Sequence, residues 1–555
     1  MPTSYELRRV ELTQQEFDDL AGRRDPGSAY FVDGVLVGFG DSPSAVSGAV
    51  DFEDQKYMIA SSRLYMPTTR VQATVASLQF QATSIIMRSP PYPVVSPRFV
   101  FPGFICQSSV GEVDLGNDLP IEAAWFEPVV GGQSYQLTFG GSNSGIIPDG
   151  GHLINDENTI VIPPNTEYRI RSAFGPVPLN GYYPSGSYTI QEGKLEGGTA
   201  NSASRATLVS TAYPTVAAGY NVGSQYGPCL MVAKGWERAG RPAVVLGVGD
   251  SIGWGDANHN SVNATDGVFG FLGRGMNSDV GGRTPFANWC VPGTRFSGLA
   301  EVNTTDAQSG FARRADILRA LDFPYTTIVC EMGINTVANA VGSNAAAKAQ
   351  FVRDQALAAW TYLKSLGGKW LAQTTMPPQT AALDEVGQAA NFLQWTSTDV
   401  SKQYKVSDAE HVALDDYILT KPFPLDAVID VRPFFQVDTG TGIRKWKAPN
   451  LTYTLTADAA SGQATFTASS SVAPKVGEQI VFEPGSSANY EIGYVRTVTG
   501  TGPYTVTMKA NLTKAHLTGT TAKPAYTLDG THPGQEGHAL AIPAIESAKV
   551  ANLVR

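Results

Sequence analysis

An apolar, β-branched run, Ala243-Val244-Val245-Leu246-Gly247-Val248, breaks off into Gly249-Asp250-Ser251-Ile252-Gly253-Trp254-Gly255. The run predicts a buried strand. Glycines on either side of a single serine predict a tight turn where the hydroxyl emerges. In an open α/β sheet, a serine at the carboxyl end of a strand stands where such sheets place their ligands. Ser251 is therefore the first candidate nucleophile, and other candidates are judged by whether they can reach it.

A chain of 555 residues exceeds one ordinary core, so several domains are expected. A net charge of -10 with no cluster of Lys and Arg argues against nucleic acid as a partner. The six histidines show no ligand spacing such as H-E-x-x-H, so no metal and no cofactor is expected. Cys106, Cys229, Cys290 and Cys330 form no C-x-x-C and read as buried free thiols. The opening Met1-Pro2-Thr3-Ser4-Tyr5-Glu6-Leu7-Arg8-Arg9 lacks a signal peptide's apolar core, and no stretch is long enough to span a membrane. A soluble protein with no membrane partner is the expectation.

Residues 1–56 read as a small attachment module. It would hold a short helix from Leu12 to Leu20, with Thr13 and Glu16 at capping-box spacing, and a hairpin turning at Asp33-Gly34. Residues 57–235 show short alternating strands, Arg70–Val75, Ser134–Phe139, Thr159–Pro163, Tyr168–Arg171 and Tyr188–Ile190, punctuated by Gly, Pro and Asn. That texture predicts an all-β sandwich or jelly roll, with 197–202 as a connector. From 236 to 447 strands alternate with helices. Tyr325–Cys330, Trp370–Thr375 and Ala427–Val431 are strands, and Ala345–Leu366 is a helix with Val352, Ala356, Ala359, Trp360 and Leu363 on one face, ended by Gly367-Gly368. This predicts an α/β domain with a parallel sheet and helices on both faces. Residues 448–526, rich in Thr, Val and Ser, read as a small β insertion, and 527–555 return to the α/β domain with a helix that Pro543 interrupts or kinks.

Three further stretches bear on Ser251. In Asp529-Gly530-Thr531-His532-Pro533, a carboxylate three residues before a histidine can receive its Nδ1-H and leave Nε2 for a nucleophile. Asn288-Trp289-Cys290-Val291-Pro292-Gly293-Thr294 is a strand-end turn in which Gly293 can offer a backbone N–H. Glu331-Met332-Gly333-Ile334-Asn335-Thr336 follows a strand, which sets Asn335 at the same sheet edge. Each has a plain alternative: a helix cap beside a solvent histidine, a Pro-Gly turn, and a loop asparagine bonding its own backbone. His259, His538 and Asp430 compete for the base and acid roles, with surface or structural positions the more ordinary reading of each.

Taken in order, these stretches resemble the SGNH (GDSL-type) hydrolase superfamily: Gly249-Asp250-Ser251-Ile252, Asn288 with Gly293, Gly333-Ile334-Asn335, and Asp529 with His532. The resemblance covers about 241–447 and 527–555 and implies a three-layer α/β fold. It implies Ser251 as nucleophile, His532 as base, Asp529 as orienter, and an oxyanion hole of Ser251 N–H, Gly293 N–H and Asn335. Thr336 departs from the usual Gly-x-Asn-Asp block, and an altered loop hydrogen bond is the expected result. Gly249-x-Ser251-x-Gly253 also fits the α/β-hydrolase elbow. In that fold, however, several strands precede the serine, and acid and base come from separate loops.

The large β module and the β insertion suit a carbohydrate substrate, and the leaderless start and small N-terminal module are similar to phage tail spikes and tail fibres that deacetylate surface polysaccharide. The expectation is therefore a polysaccharide O-acetyl esterase of a virion tail, a homotrimer meeting other tail proteins. The alternatives are a secreted bacterial esterase or lipase, and a non-catalytic glycan-binding adhesin.

Overall fold

The computed structural model describes residues 8–12, 28–32, 35–39, 55–61, 64–74, 81–108, 110–128, 134–185, 226–255, 270–299, 310–378, 408–438, 444–447, 451–483, 489, 491–527 and 531–555. At its centre is a parallel sheet. From one edge its strands run Ala427–Ile429, Trp370–Thr374, Thr327–Glu331, Val245–Gly249, Phe286–Asn288 and Leu64–Tyr65. Counting from Val245 onward, the first five stand in the doubly wound order 2-1-3-4-5, which reverses direction beside the strand that delivers Ser251.

The helices between these strands fall into two packed groups. The step from Val245–Gly249 to Phe286–Asn288 runs toward one edge and carries helix Gly270–Asn277, against which the terminal helix Gln535–Val550 packs. Steps in the other direction carry Phe296–Leu299, Ala345–Ser365 and Asp408–Leu419, which pack on one another. Helix Ala345–Ser365 buries Val352, Ala356, Ala359, Trp360 and Leu363, the face its periodicity predicts. Asn344 caps its start by accepting from Ala347 N, and Gly367 follows its end with φ of 76°. Pro543 lies inside the terminal helix, which continues through it.

The sheet's outermost strand, Leu64–Tyr65, comes from within the expected β domain, between its strands Met58–Ile59 and Thr69–Gln72, so the parallel sheet reaches back across the boundary expected near residue 236. Between these parts lie two antiparallel sheets. One joins Tyr135–Gln136, Leu119–Pro128, Glu167–Phe174 and Gln81–Arg88, with Gly145–Ile147 alongside. The other joins His152–Ile154, Val94–Pro102, Leu230–Lys234 and Met58–Ile59, with Val161–Ile162 alongside. Their facing sides bury Phe99, Phe101, Ile121, Phe126, Tyr168 and Phe174. Strand Val94–Pro102 is buried along nearly its whole length because its other side, through Val100, joins the core of the α/β domain. The expected Tyr188–Ile190 strand and the 197–202 connector lie outside the described residues, and the strands expected at 70–75, 134–139 and 159–163 are shorter, at Thr69–Gln72, Tyr135–Gln136 and Val161–Ile162.

At the N-terminus, Arg8–Leu12 pairs in parallel with Ser28–Val32, which pairs antiparallel with Val35–Phe39 around the Asp33-Gly34 position. Leu12 therefore closes a strand, and the rest of the expected 12–20 helix lies outside the described residues. Within 451–525, six strands close into a barrel: Tyr453–Leu455, Thr465–Ser469, Tyr504–Met508, Glu491–Thr499, Gln479–Phe482 and Thr521–Pro524. Its core is Tyr453, Phe466, Ile480, Phe482, Val495 and Val506.

One buried ion pair joins the β domain to the α/β domain. Glu112 accepts from the backbone N–H of Arg313 at 2.7 Å and of Arg314 at 3.2 Å, and from Arg314 Nε at 2.8 Å. Phe311, the cap residue of helix Ala312–Ala320, supplies no side-chain cap, so a carboxylate from another domain does that work at the dipole's positive end. Arg314 also donates to Trp289 O at 3.0 Å. Glu112→Ala leaves a buried guanidinium and a bare helix start. It should cost about 3–5 kcal/mol, read as a lowered thermal unfolding midpoint.

Candidate active site

Ser251 is the first residue of a one-turn helix, Ser251–Trp254, at the carboxyl end of the central strand. Asp250 caps that turn, its Oδ1 accepting from Ile252 N at 3.0 Å, and its own N–H donates to Glu331 O at 3.0 Å. The glycines here serve a purpose other than the one the sequence suggests. Neither Gly249 nor Gly253 has a positive φ. A Cβ on Gly249 would stand 2.2 Å from Glu331 O, and one on Gly253 would stand 2.7 Å from Cys290 Sγ. Close approach of neighbouring chains excludes a side chain at both positions. The left-handed residue is Gly255, with φ of 90°, which ends the turn.

His532 reaches this serine from the far end of the chain: Ser251 Oγ lies 2.8 Å from His532 Nε2. Helix Gln535–Val550 begins after Pro533, so His532 stands on the loop ahead of it rather than on its first turn. That loop is fastened on both sides. Thr527 Oγ1 donates to His532 O at 2.8 Å, Thr527 bridges to Pro533, and Gly534 N donates to Tyr526 O at 2.7 Å. The barrel supplies the other side. Ala525 N donates to Gln479 O at 3.0 Å, the Gln479 amide lies against Gly534, and Lys475 pairs with Glu536 at 2.9 Å. Asp529, the expected orienter, lies outside the described residues, as does His259.

The expected oxyanion donors meet on the neighbouring strand ends. Gly293 sits in the turn after Phe286–Asn288 with φ of 78°, a conformation that favours glycine. Asn335 lies on the short helix Ile334–Ala338, and its Nδ2 donates to Thr294 O at 3.2 Å, which brings the amide beside the Gly293 turn. Thr336 is buried and its Oγ1 accepts from Phe296 N at 3.0 Å, so the residue standing where the expected Gly-x-Asn-Asp pattern has aspartate ties the Asn335 helix to the Gly293 segment. Asn288 completes the frame, donating to Gly253 O at 2.9 Å and accepting from Cys290 N at 3.0 Å.

The two remaining competitors have other work. His538 is fully buried on the terminal helix, its Nδ1 accepting from Phe271 N at 3.1 Å. Asp430 pairs with Arg432 at 2.9 Å and accepts from Thr375 Oγ1 at 2.8 Å, contacts that hold its carboxyl below the usual range against the opposing effect of burial. All four cysteines are free and buried. Among the described residues, no group of three or more His, Cys, Asp or Glu is placed to hold a metal ion, and no helix is long and apolar enough to cross a membrane.

Sequence reasoning missed Glu331, which ends a buried strand directly against Asp250. Its signal was a charged residue closing the otherwise apolar-leaning run Thr327–Glu331. Burial pushes the Asp250 carboxyl up to about 6, opposed by the N–H of Ile252 and the charge of His532. Burial and then the charge of Asp250 push Glu331 well above the usual carboxylate range. An acid whose folded-state pKa is raised holds its proton more tightly in the folded than in the unfolded chain. The stability this provides is present in acid and is lost as pH rises from the ordinary range, about 4, through the folded values. Glu331→Gln removes the titration, so its unfolding midpoint should gain on wild type steadily from pH 4 to pH 8 when the two are followed side by side. Gly537→Ala, which would set a methyl group 2.0 Å from the Tyr526 carbonyl that accepts from Gly534 N, should displace the His532 loop, read as a shifted His532 imidazole signal by NMR while the far-ultraviolet spectrum is kept.

No protein-family model matches the chain, and no curated protein matches it. Among solved structures it is similar to a carbohydrate esterase family 2 enzyme with its carbohydrate-binding domain from Corynascus thermopiles (Myceliophthora fergusii), at 11% identity and a TM-score of 0.21, over 66% of this chain and 90% of that one. A carbohydrate acetylesterase from Sinorhizobium meliloti is similar at 14% identity and 0.22, over 37% and 91%. A lipase/acylhydrolase from Enterococcus faecalis is similar at 14% and 0.20, over 34% and 77%. Likenesses this low say nothing of the reaction this chain performs.

Proposed function

We propose that this protein is a serine ester hydrolase of the SGNH type that removes O-acetyl groups from a polysaccharide. The observation that carries the reading is the 2.8 Å contact between Ser251 Oγ and His532 Nε2 at the carboxyl end of the central strand. A hydroxyl and an imidazole at that distance can pass a proton as the oxygen attacks a carbonyl. Ser251 Oγ bonds to the acyl carbon while His532 takes its proton. His532 then returns that proton to the leaving sugar oxygen, and water repeats the sequence to release acetate and free the serine. Asp529 is assigned to hold the imidazole through Nδ1.

Negative charge grows on the former carbonyl oxygen only as the tetrahedral species forms, so donors already aimed there favour the transition state over the bound ester. The backbone N–H of Ser251 and Gly293 and the side chain of Asn335 are assigned that role. Asn335 is held by Thr294 O, so little reorganisation is needed when the charge appears.

The choice of an acetylated glycan as substrate is supported by the extent of β structure that accompanies the site, two antiparallel sheets ahead of it and a barrel that leads to Thr527 beside His532. The virion tail and the homotrimer belong to the same proposal through the resemblance in domain plan. A monomer in sedimentation removes the trimer.

The test is acetate release from a panel of O-acetylated bacterial polysaccharides, with p-nitrophenyl acetate and a long-chain acyl ester alongside. Ser251→Ala should lose on the order of a million-fold in rate, and Asn335→Ala about 100- to 1,000-fold, mostly in kcat. Turnover confined to long-chain esters would make the protein a lipase or thioesterase. Folded protein that binds glycan without Ser251-dependent turnover would make it an adhesin.

A further inference from the structure

Directly beneath the nucleophile, two buried acids face each other. Asp250 and Glu331 are 0% and 1% exposed. Asp250 Oδ1 takes the N–H of Ile252 at 3.0 Å. Among the described residues, neither Asp250 Oδ2 nor Glu331 Oε2, both buried, meets a hydrogen-bonding donor. Two ionised carboxylates have no donor to offer each other, so these oxygens stay unsatisfied unless one of the acids carries a proton. Buried polar atoms are rarely left in that state, and two like charges side by side in an apolar core do not both persist.

We propose that Asp250 and Glu331 hold one proton between them, carried by Glu331, and that the remaining charge on Asp250 is a fixed counter-charge for the His532 imidazolium. This rests on the reading of Ser251 and His532 as nucleophile and base. The asymmetry follows from the donors around each acid. Asp250 is met by the N–H of Ile252 and of Gly333, which suit an ionised acceptor, and Glu331 by the N–H of Gly253 together with Asp250 itself.

Among the described residues around the pair, other titratable groups do not supply this counter-charge. The thiols of Cys290 and Cys330 lie against the pair, and burial together with the two acids pushes both well up, so they remain neutral. Arg314, beyond Cys290, is committed to Glu112. Asp250 feels His532 from the residue next to Ser251, so the charge lies on the serine's side of the imidazole, whereas Asp529 is assigned to its far nitrogen. Asp250 and Glu331 are positioning residues. They touch no substrate and act through the imidazole.

Asp250→Asn is the informative substitution, because asparagine caps a helix as well as aspartate while removing the charge. With Asn at that position and a protonated Glu331, the pair is neutral, and the imidazolium keeps Asp529 at Nδ1 but loses the second counter-charge beneath the serine. The acid limb of kcat/KM should move to lower pH by about one unit, and kcat should fall at least about thirtyfold with KM little changed. Glu331→Ala should lose rate as well, and Glu331→Gln, whose amide N–H replaces the shared proton, should recover most of it with the limb where wild type has it.

A second readout is free of turnover. The His532 imidazole, followed by NMR of histidine-labelled protein and assigned with His532→Gln, should titrate lower in Asp250→Asn than in wild type. An Asp250→Asn protein that loses rate with both the kinetic limb and the imidazole titration unmoved would overturn the proposal and leave Asp250 a structural cap. If wild type turns over no ester, the hydrolase reading fails, and the imidazole titration alone still decides whether the pair acts on His532.

Discussion

Two backbones touch where Gly249 passes Glu331, and the site is built on that contact. A methyl group at Gly249 would stand 2.2 Å from the Glu331 carbonyl, and the Asp250 N–H closes onto the same oxygen at 3.0 Å. Because the strands lie this close, the Ser251 turn and the Asn335 helix leave the sheet side by side. Cys290 fills the gap on the other flank, and Asn288 bonds across to Gly253. The same closeness brings two carboxyl groups into a space that excludes water, where they depend on one another for a proton. Packing of main chain thus fixes both the geometry and the electrostatics around Ser251.

The histidine arrives by a different route. Its loop follows a barrel closed on itself, so the barrel's last strand can deliver Tyr526 and Thr527 to a fixed place. Both hold the His532 loop from one side while Gln479 and Lys475 hold it and the helix start from the other. An insertion that looks separable in sequence is mechanically continuous with the site. The β domain is joined as firmly, through an apolar strand buried on both sides and through a glutamate that caps a helix of its neighbour.

Much of this was legible in the residues, and its limits have physical causes. Helix Ala345–Ser365 and its buried face follow from a 3.6-residue period that tertiary contacts reinforce. Ser251 and His532 were legible because their chemistry needs particular residue types at strand ends and helix starts. The reason for the glycines was not, since close approach and positive φ leave the same letter in a sequence. Nor was the partnership of Glu331 with Asp250, because a charged residue at the end of a strand reads as a solvent-facing terminus until the neighbouring strand is in place.

Sequence alone singled out the candidates for the chemistry: one serine after a buried strand, one histidine before a terminal helix, and an asparagine and a glycine at strand ends. Local periodicity and side-chain type are properties of a few consecutive residues, so they survive without the fold. Tertiary structure decided what depends on distance: the 2.8 Å between residues 281 apart, the return of Leu64–Tyr65 to the edge of a sheet that otherwise begins at Val245, and the pairing of two buried acids. Those contacts are made between segments far apart in the chain, and only the packed core sets how near they come.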